Sequence, residues 1–181
     1  MKSFDSPAAF ASFLANVIAT LPIAQKAGLN AAAEIIERDA KAKIGVYQDE
    51  EGPFEAWQPL APATLYGGVS PEGHHFKGKV ELGYAPPDNP LLRDGTLRSR
   101  ITHDASPFQA AVGVKSEVVS PAYGDPVDIG DVAKWQELGT SRMPARSFLG
   151  GAAVHKGREA VTELAVEIVA HIAGQAVKAG F

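Results

Sequence analysis

The side chains in this sequence able to do chemistry are five histidines, at positions 74, 75, 103, 155 and 171, a run of carboxylates in "YQDEEG" (47–52), and serines at 116 and 120. His74 and His75 are neighbours in a loop, so their rings need not converge, and neither an HExxH helix nor a His-x-Asp frame accompanies them. His155 and His171 fall too far apart along one expected helix to share a ligand. The acidic run reads as a solvated turn rather than an acid–base pair. Ser116 and Ser120 lack the setting of a nucleophile. Gly67, Gly68, Gly150 and Gly151 form neither a GxxxxGK[ST] nor a GxGxxG loop, so nothing supports phosphate cradling. The expectation is a non-enzyme with no cofactor and no metal. The alternative is a small enzyme or ligand-binding module using the 66–90 loop around His74, His75 and Asp88.

Composition narrows the class further. At 181 residues, 45% hydrophobic and 21% charged, the chain fits one globular domain (1–181) with a single sizeable core. A net charge of −4 supplies no global basic field for holding nucleic acid by its phosphates. The absence of cysteine removes disulfides, thiolate metal sites and cysteine nucleophiles together. The N-terminal "MKSFDSPAAFASFLANVIATLPIAQ" resembles a short secretory leader only in outline. Polar residues interrupt it, and Ser3 or Ser6 can cap a helix just ahead of Pro7 and Ala8. No apolar run approaches the roughly 20 residues that span a bilayer, so a soluble protein with no membrane partner is expected.

The elements that would position any site follow from periodicity. Residues 1–45 read as helical. Phe10, Phe13, Leu14, Val17 and Ile18 recur at helical spacing, Pro22 is expected to break or kink the helix, and a second helix buries Leu29, Ala33, Ile36 and Ala40. Glu34, Glu37, Arg38, Lys41 and Lys43 are left to water, and Gly45 stops the helix. Residues 46–90, punctuated by Pro53, Pro59, Pro62, Pro71, Pro86 and Pro87, read as one extended Pro/Gly-rich loop with little helix, suited to docking on another surface. Residues 91–130 read as strands: "LRSRITHD" and "FQAAVGVKS" around a turn, then "VVSPAYGDPVDIG" with a turn at Gly124, Asp125 and Pro126. Residues 131–181 begin with a short helix capped by Asp131, carrying Val132, Trp135 and Leu138 and ending at Gly139. A hinge and a long final helix follow. Val161, Leu164, Ala165, Ile168, Val169, Ile172 and Ala176 trace one apolar stripe on that helix, with Glu159, Glu163 and Glu167 along another side. The fold class is α+β: a small antiparallel β-sheet packed against long N- and C-terminal helices, with a long Pro/Gly-rich loop.

Three segments, taken in order, carry a resemblance. "WQPLAPATL" (57–65), "PLLRDGTLRSRI" (90–101) and "VAKWQELGTSRMPARSFLG" (132–150) are similar to three signature blocks of the phage virion-morphogenesis and tail-completion proteins. These are also called minor tail or head-to-tail connector components of long-tailed phages. Together with the flanking helices the blocks cover most of the chain; Val132 and Leu138 depart from the aromatic residues common at those places.

The resemblance implies a structural virion protein: a homo-oligomeric ring, commonly hexameric, at the head-proximal end of the tail. Such a ring joins the tail tube to the head-closure or adaptor protein and lets genomic DNA pass through its lumen without sequence-specific binding. The implied location is the virion neck or tail, and the host cytoplasm during assembly. Tail terminator and head closure are the alternative roles. An acidic lumen is expected from the net charge.

The candidate interface or hinge residues are Trp57, Pro59 and Leu60 in the first block, Arg93 in the second, and Trp135, Glu137, Gly139, Thr140, Pro144, Arg146 and Phe148 in the third. Trp and Arg carry much of the energy of protein interfaces, and both tryptophans fit either a core or an interface. In the third block Pro144 would hold an extended approach, Arg146 would fork onto a carboxylate or carbonyls, and Phe148 with Leu149 would seat the last helix. In the second, Asp94 and Gly95 would make a turn launching the first strand, with Leu92 and Leu97 in the core.

Overall fold

The computed structural model describes residues 4–84, 86–120 and 126–178. Ser3 and the turn expected at Gly124 and Asp125 therefore lie outside the described residues. The fold is α+β, with long helices near both ends and small antiparallel sheets between them.

The chain opens with α1, Pro7–Lys43, a single helix of 37 residues. Its start is the expected one: the Ser6 hydroxyl accepts the Ala9 N–H at 3.1 Å, with Pro7 at the first helical position. Its course is not, because the helix runs on through Pro22, where two helices were expected. Proline removes one ladder bond, here the one to Ile18, and Ile18 lies in solvent, where water can take up the freed carbonyl. Helix α1 ends ahead of Gly45, whose φ of 95° turns the chain as the sequence predicts.

Within 46–90, α2 (Pro62–Tyr66) and a hairpin of β1 (Gly68–Val69) and β2 (His75–Phe76) interrupt the expected loop. The segment launched by Asp94 and Gly95 is first a helical turn, α3 (Thr96–Arg100), and only then β3 (Ile101–Ala105). The Asp94 carboxylate accepts the Thr96 N–H at 2.9 Å and starts that turn, which corrects the expectation of a direct strand. Strand β3 pairs with β4 (Ala110–Val114), and β5 (Val118–Val119) with β6 (Val127–Asp128). Among the described residues the strands form three two-stranded sheets, where the sequence reading expects one small antiparallel sheet.

Helix α4 covers Ile129–Leu138 and is capped by Asp128, whose side chain accepts the Gly130 N–H at 2.7 Å. Asp131, expected as the cap, sits in the first turn instead. Helix α5 covers Leu149–Lys178.

The residues gather into two compact units. The first takes α1 up to Ile36, His103–Val112 and α5 from Lys156 onward. Here small residues set the packing. A Cβ on Gly28 would lie 2.7 Å from Leu164 Cδ1 and 3.1 Å from the Leu164 carbonyl oxygen, so the two helices meet where a side chain is missing. Ala24, Ala33 and Ala160 are buried, and His171 Nε2 lies 2.9 Å from Thr20 Oγ1.

This close approach turns α5 away from the expected stripe. Leu164, Ile168 and Ala176 are half-buried, but Val161, Ala165, Val169 and Ile172 are exposed, and Glu163 and Glu167 are half-buried in their stead. On α1, likewise, Phe13 and Val17 turn inward while Phe10, Leu14 and Ile18 face solvent. By length and composition α1 and α5 are each apolar enough to cross a membrane, with 6% of the qualifying window buried in each. Counting apolar runs misses this, because polar residues such as Ser12, Asn16 and Thr20 interrupt the run without adding charge.

The second unit takes Glu37–Thr102 and Gly113–His155. Its core includes Ile44, Trp57, Leu97, Ile101, Ile129, Ala133, Phe148 and Ala152. Lys43, expected in water, is 6% exposed. Its ammonium donates to Glu51 at 2.6 Å and to Gln48 Oε1 at 3.1 Å, with Asp39 at 3.7 Å. The turn after Gly45 brings Glu51 back onto the helix end. The "YQDEEG" run is therefore only partly the solvated turn expected, because Glu51 is half-buried in this ion pair while Asp49 and Glu50 are exposed.

Candidate functional site

The second unit holds a cleft of about 770 Å³, and its walls come from all three signature blocks. Gln58, Pro59, Leu60 and Thr64 supply the first block; Leu92, Arg93, Asp94 and Leu97 the second; Val132, Gln136, Pro144 and Arg146 the third. Segments separated by dozens of residues thus build one surface.

The third block is braced from within. The Glu137 carboxylate, projecting from the last turn of α4, accepts the N–H groups of Phe148 and Leu149, each at 2.9 Å, and of Gly150 at 2.8 Å. The Ser147 hydroxyl donates to it as well. These are the first N–H groups of α5, which have no partner inside the helix and lie at the positive end of its dipole. A carboxylate held there satisfies several donors at once. No acidic residue occupies the first turn of α5 itself, so Glu137 fills that role from another element.

The turn between the two helices is equally fixed. Gly139 has φ 72°, and a Cβ there would lie 2.8 Å from the Ala145 nitrogen and 2.9 Å from the Met143 carbonyl oxygen. Thr140 and Met143 pair as an isolated bridge, with the Thr140 N–H donating to Met143 at 2.8 Å. The Arg146 N–H donates to the Gln136 carbonyl at 2.6 Å, closing the C-terminal end of α4. Pro144 lines the cleft, and Phe148 is 0% exposed, the anchor the sequence predicts.

Arg146 points into its own unit. It is 4% exposed and donates through Nη2 to the Gln58 carbonyl at 3.1 Å, joining the third block to the first. It meets a carbonyl and not a carboxylate. Burial pushes its guanidinium pKa below the usual value, and the nearby Tyr47 phenol opposes that shift. The Tyr47 hydroxyl accepts the Leu60 N–H at 3.0 Å and donates to Asp88 at 2.8 Å, which pins the Pro/Gly-rich segment along the cleft. Burial raises the phenol's pKa, the Leu60 bond lowers it and Asp88 raises it further, leaving it above its ordinary range.

The two tryptophans part company. Trp57 is buried in the core, whereas Trp135 is 45% exposed on α4, beside the exposed Leu138. Arg93 lies on the cleft rim and pairs with Asp94 at 3.1 Å. His74 and His75 are exposed at the β1–β2 hairpin, and Asp88 is engaged by Tyr47. Among the described residues no group of three or more His, Asp or Glu side chains is arranged to hold a metal ion.

Sequence reasoning missed three members of this site. Lys79 donates to the Asn89 carbonyl at 2.7 Å at the cleft wall, and burial lowers its pKa against the pull of Asp88. Gln136 and Arg142 also line the cleft. Gln136 and Arg142 sit inside the third block without a motif role of their own, and Lys79 lies in the segment between the first two blocks.

No family model, curated protein or solved structure matches this chain.

Proposed function

We propose that this chain is a structural virion protein of the tail-completion or connector type. In this reading it forms a ring, hexameric in the commonest form of such assemblies, that joins the phage tail to the head-closure ring and leaves a lumen for the genome. The observation that carries the reading is the convergence of the three blocks: the segments that resemble the connector signatures, spread over 57–150, line one cleft and are tied together by the Arg146–Gln58 bond. Exposed apolar faces on both long helices, and the exposed Trp135 and Leu138, add unsatisfied surface of the kind that assembly covers.

The test is to delete the gene from its source particle. Filled heads and finished tails accumulating apart are the expected result, restored to joined particles by the wild-type protein supplied in trans. Normal tailed particles from the deletion would overturn the reading. A complementing Trp135→Ser protein that folds normally but joins fewer particles would place Trp135 at a subunit contact.

A further inference from the structure

Among the described residues, two buried polar atoms of the cleft wall find no hydrogen-bond partner: Nε of Arg146, which can only donate, and Oε1 of Gln136, which can only accept. Leaving such atoms unpaired is costly, and they are of opposite sense. An extended peptide backbone offers both complements from neighbouring groups, a carbonyl for Arg146 and an N–H for Gln136. Around them the wall is apolar, with Leu60, Leu97 and Met143.

The charge of the cleft runs against that of the chain. Lys79, Arg93, Arg142 and Arg146 line it with Asp94 as the opposing carboxylate, in a protein whose net charge is −4. Asp94 is taken by Arg93 and Lys79 by the Asn89 carbonyl, while Arg142 stands exposed. A carboxylate entering the cleft would meet a guanidinium suited to fork-like pairing.

We propose that the cleft docks an extended peptide segment of another protein, with a carboxylate side chain flanked by apolar residues. The backbone of the segment satisfies Arg146 and Gln136, its carboxylate pairs with Arg142, and its apolar side chains lie on Leu60, Leu97 and Met143. This goes beyond the connector reading, because it concerns what the cleft recognises in whatever assembly the chain joins.

The experiment titrates the full chain, labelled with ¹⁵N, with the peptide acetyl-Gly-Leu-Asp-Leu-Gly-amide and with its Asn and Lys counterparts. The Asp peptide should shift the Arg146 Nε–H resonance. The Asn peptide should bind about tenfold more weakly, as expected for loss of one charge-assisted bond. Arg142→Glu, at an exposed position, should abolish the preference for Asp while leaving the remaining spectrum unchanged.

Equal binding of all three peptides, or no movement of the Arg146 signal with any of them, would overturn the proposal. So would self-association of the chain that Arg142→Glu abolishes and the Asp peptide does not compete, since that would assign the cleft to a second copy. Normal particles from the gene deletion would remove the connector reading and leave this titration standing on its own.

Discussion

The backbone N–H of Phe148 donates to the side-chain carboxylate of Glu137 at 2.9 Å, so the residue that seats α5 in the core is held by a residue at the end of α4. The same carboxylate takes the N–H groups of Leu149 and Gly150. Replacing Glu137 by Ala strips three backbone donors of their charged acceptor and should cost about 3 kcal/mol of stability. Glu137→Gln keeps an acceptor oxygen and should cost roughly half as much. Urea denaturation of the three proteins measures the series. Equal midpoints would show that water replaces the carboxylate without loss.

Arg146 and Trp135 lie in the same signature block and should respond in opposite ways. Arg146→Ala leaves the Gln58 carbonyl without its donor and opens space beside Tyr47, so a loss of about 2–4 kcal/mol is expected. Trp135→Ser removes a side chain already 45% exposed and should change stability by less than about 1 kcal/mol. Thermal melting separates them. A larger loss for Trp135→Ser than for Arg146→Ala would reverse the assignment of core and surface.

How far this arrangement could be read from the sequence depends on the range of the interaction. Gly45 and Gly139 were legible as stops because a positive φ is a local demand that glycine meets. Leu97 was legible from the turn at Asp94 and Gly95 that precedes it, and Phe148 from its place at the start of the last helix; both are buried. Lys43 was not, since its burial depends on Glu51 returning after a turn to neutralise it. Glu137 was marked as part of the joint, but its acceptor role is a tertiary contact with backbone groups, which carry no side-chain signature. The α5 stripe shows a further limit. Periodicity finds an apolar arc, but the face of α5 turned inward mixes Leu164 and Ile168 with Glu163 and Glu167, and the close approach at Gly28 favours that face.

That gap gives a paired prediction. At Gly28 any larger side chain meets the Leu164 carbonyl and Glu167 Cβ, both set by the backbone of α5, so Gly28→Val should destabilise by about 2 kcal/mol or more despite removing a helix-interior glycine. At Gly174, also within a helix, an added Cβ meets nothing within 4 Å. Gly174→Ala should therefore stabilise by up to about 0.8 kcal/mol. Denaturant midpoints measured side by side decide the matter, and a stabilising Gly28→Val would mean that the helices do not meet there.

Asp128 carries the pH prediction. Its carboxylate accepts from the Ser116 hydroxyl, from the Gly130 N–H at 2.7 Å, and from the Glu117 and Asp131 backbone, which together hold its pKa below the usual carboxylate value. A folded-state pKa below the unfolded one means that the group contributes stability above about pH 3.9, the unfolded value, and loses it as pH falls through the folded value. Melting temperature should therefore fall between about pH 4 and pH 2 more steeply in the wild type than in Asp128→Asn, which has no proton to gain. Above pH 5 the wild type should melt higher, since the neutral amide is a weaker cap for α4. Parallel curves for the two proteins across the acid range would show that the cap works through geometry alone and that its charge contributes nothing.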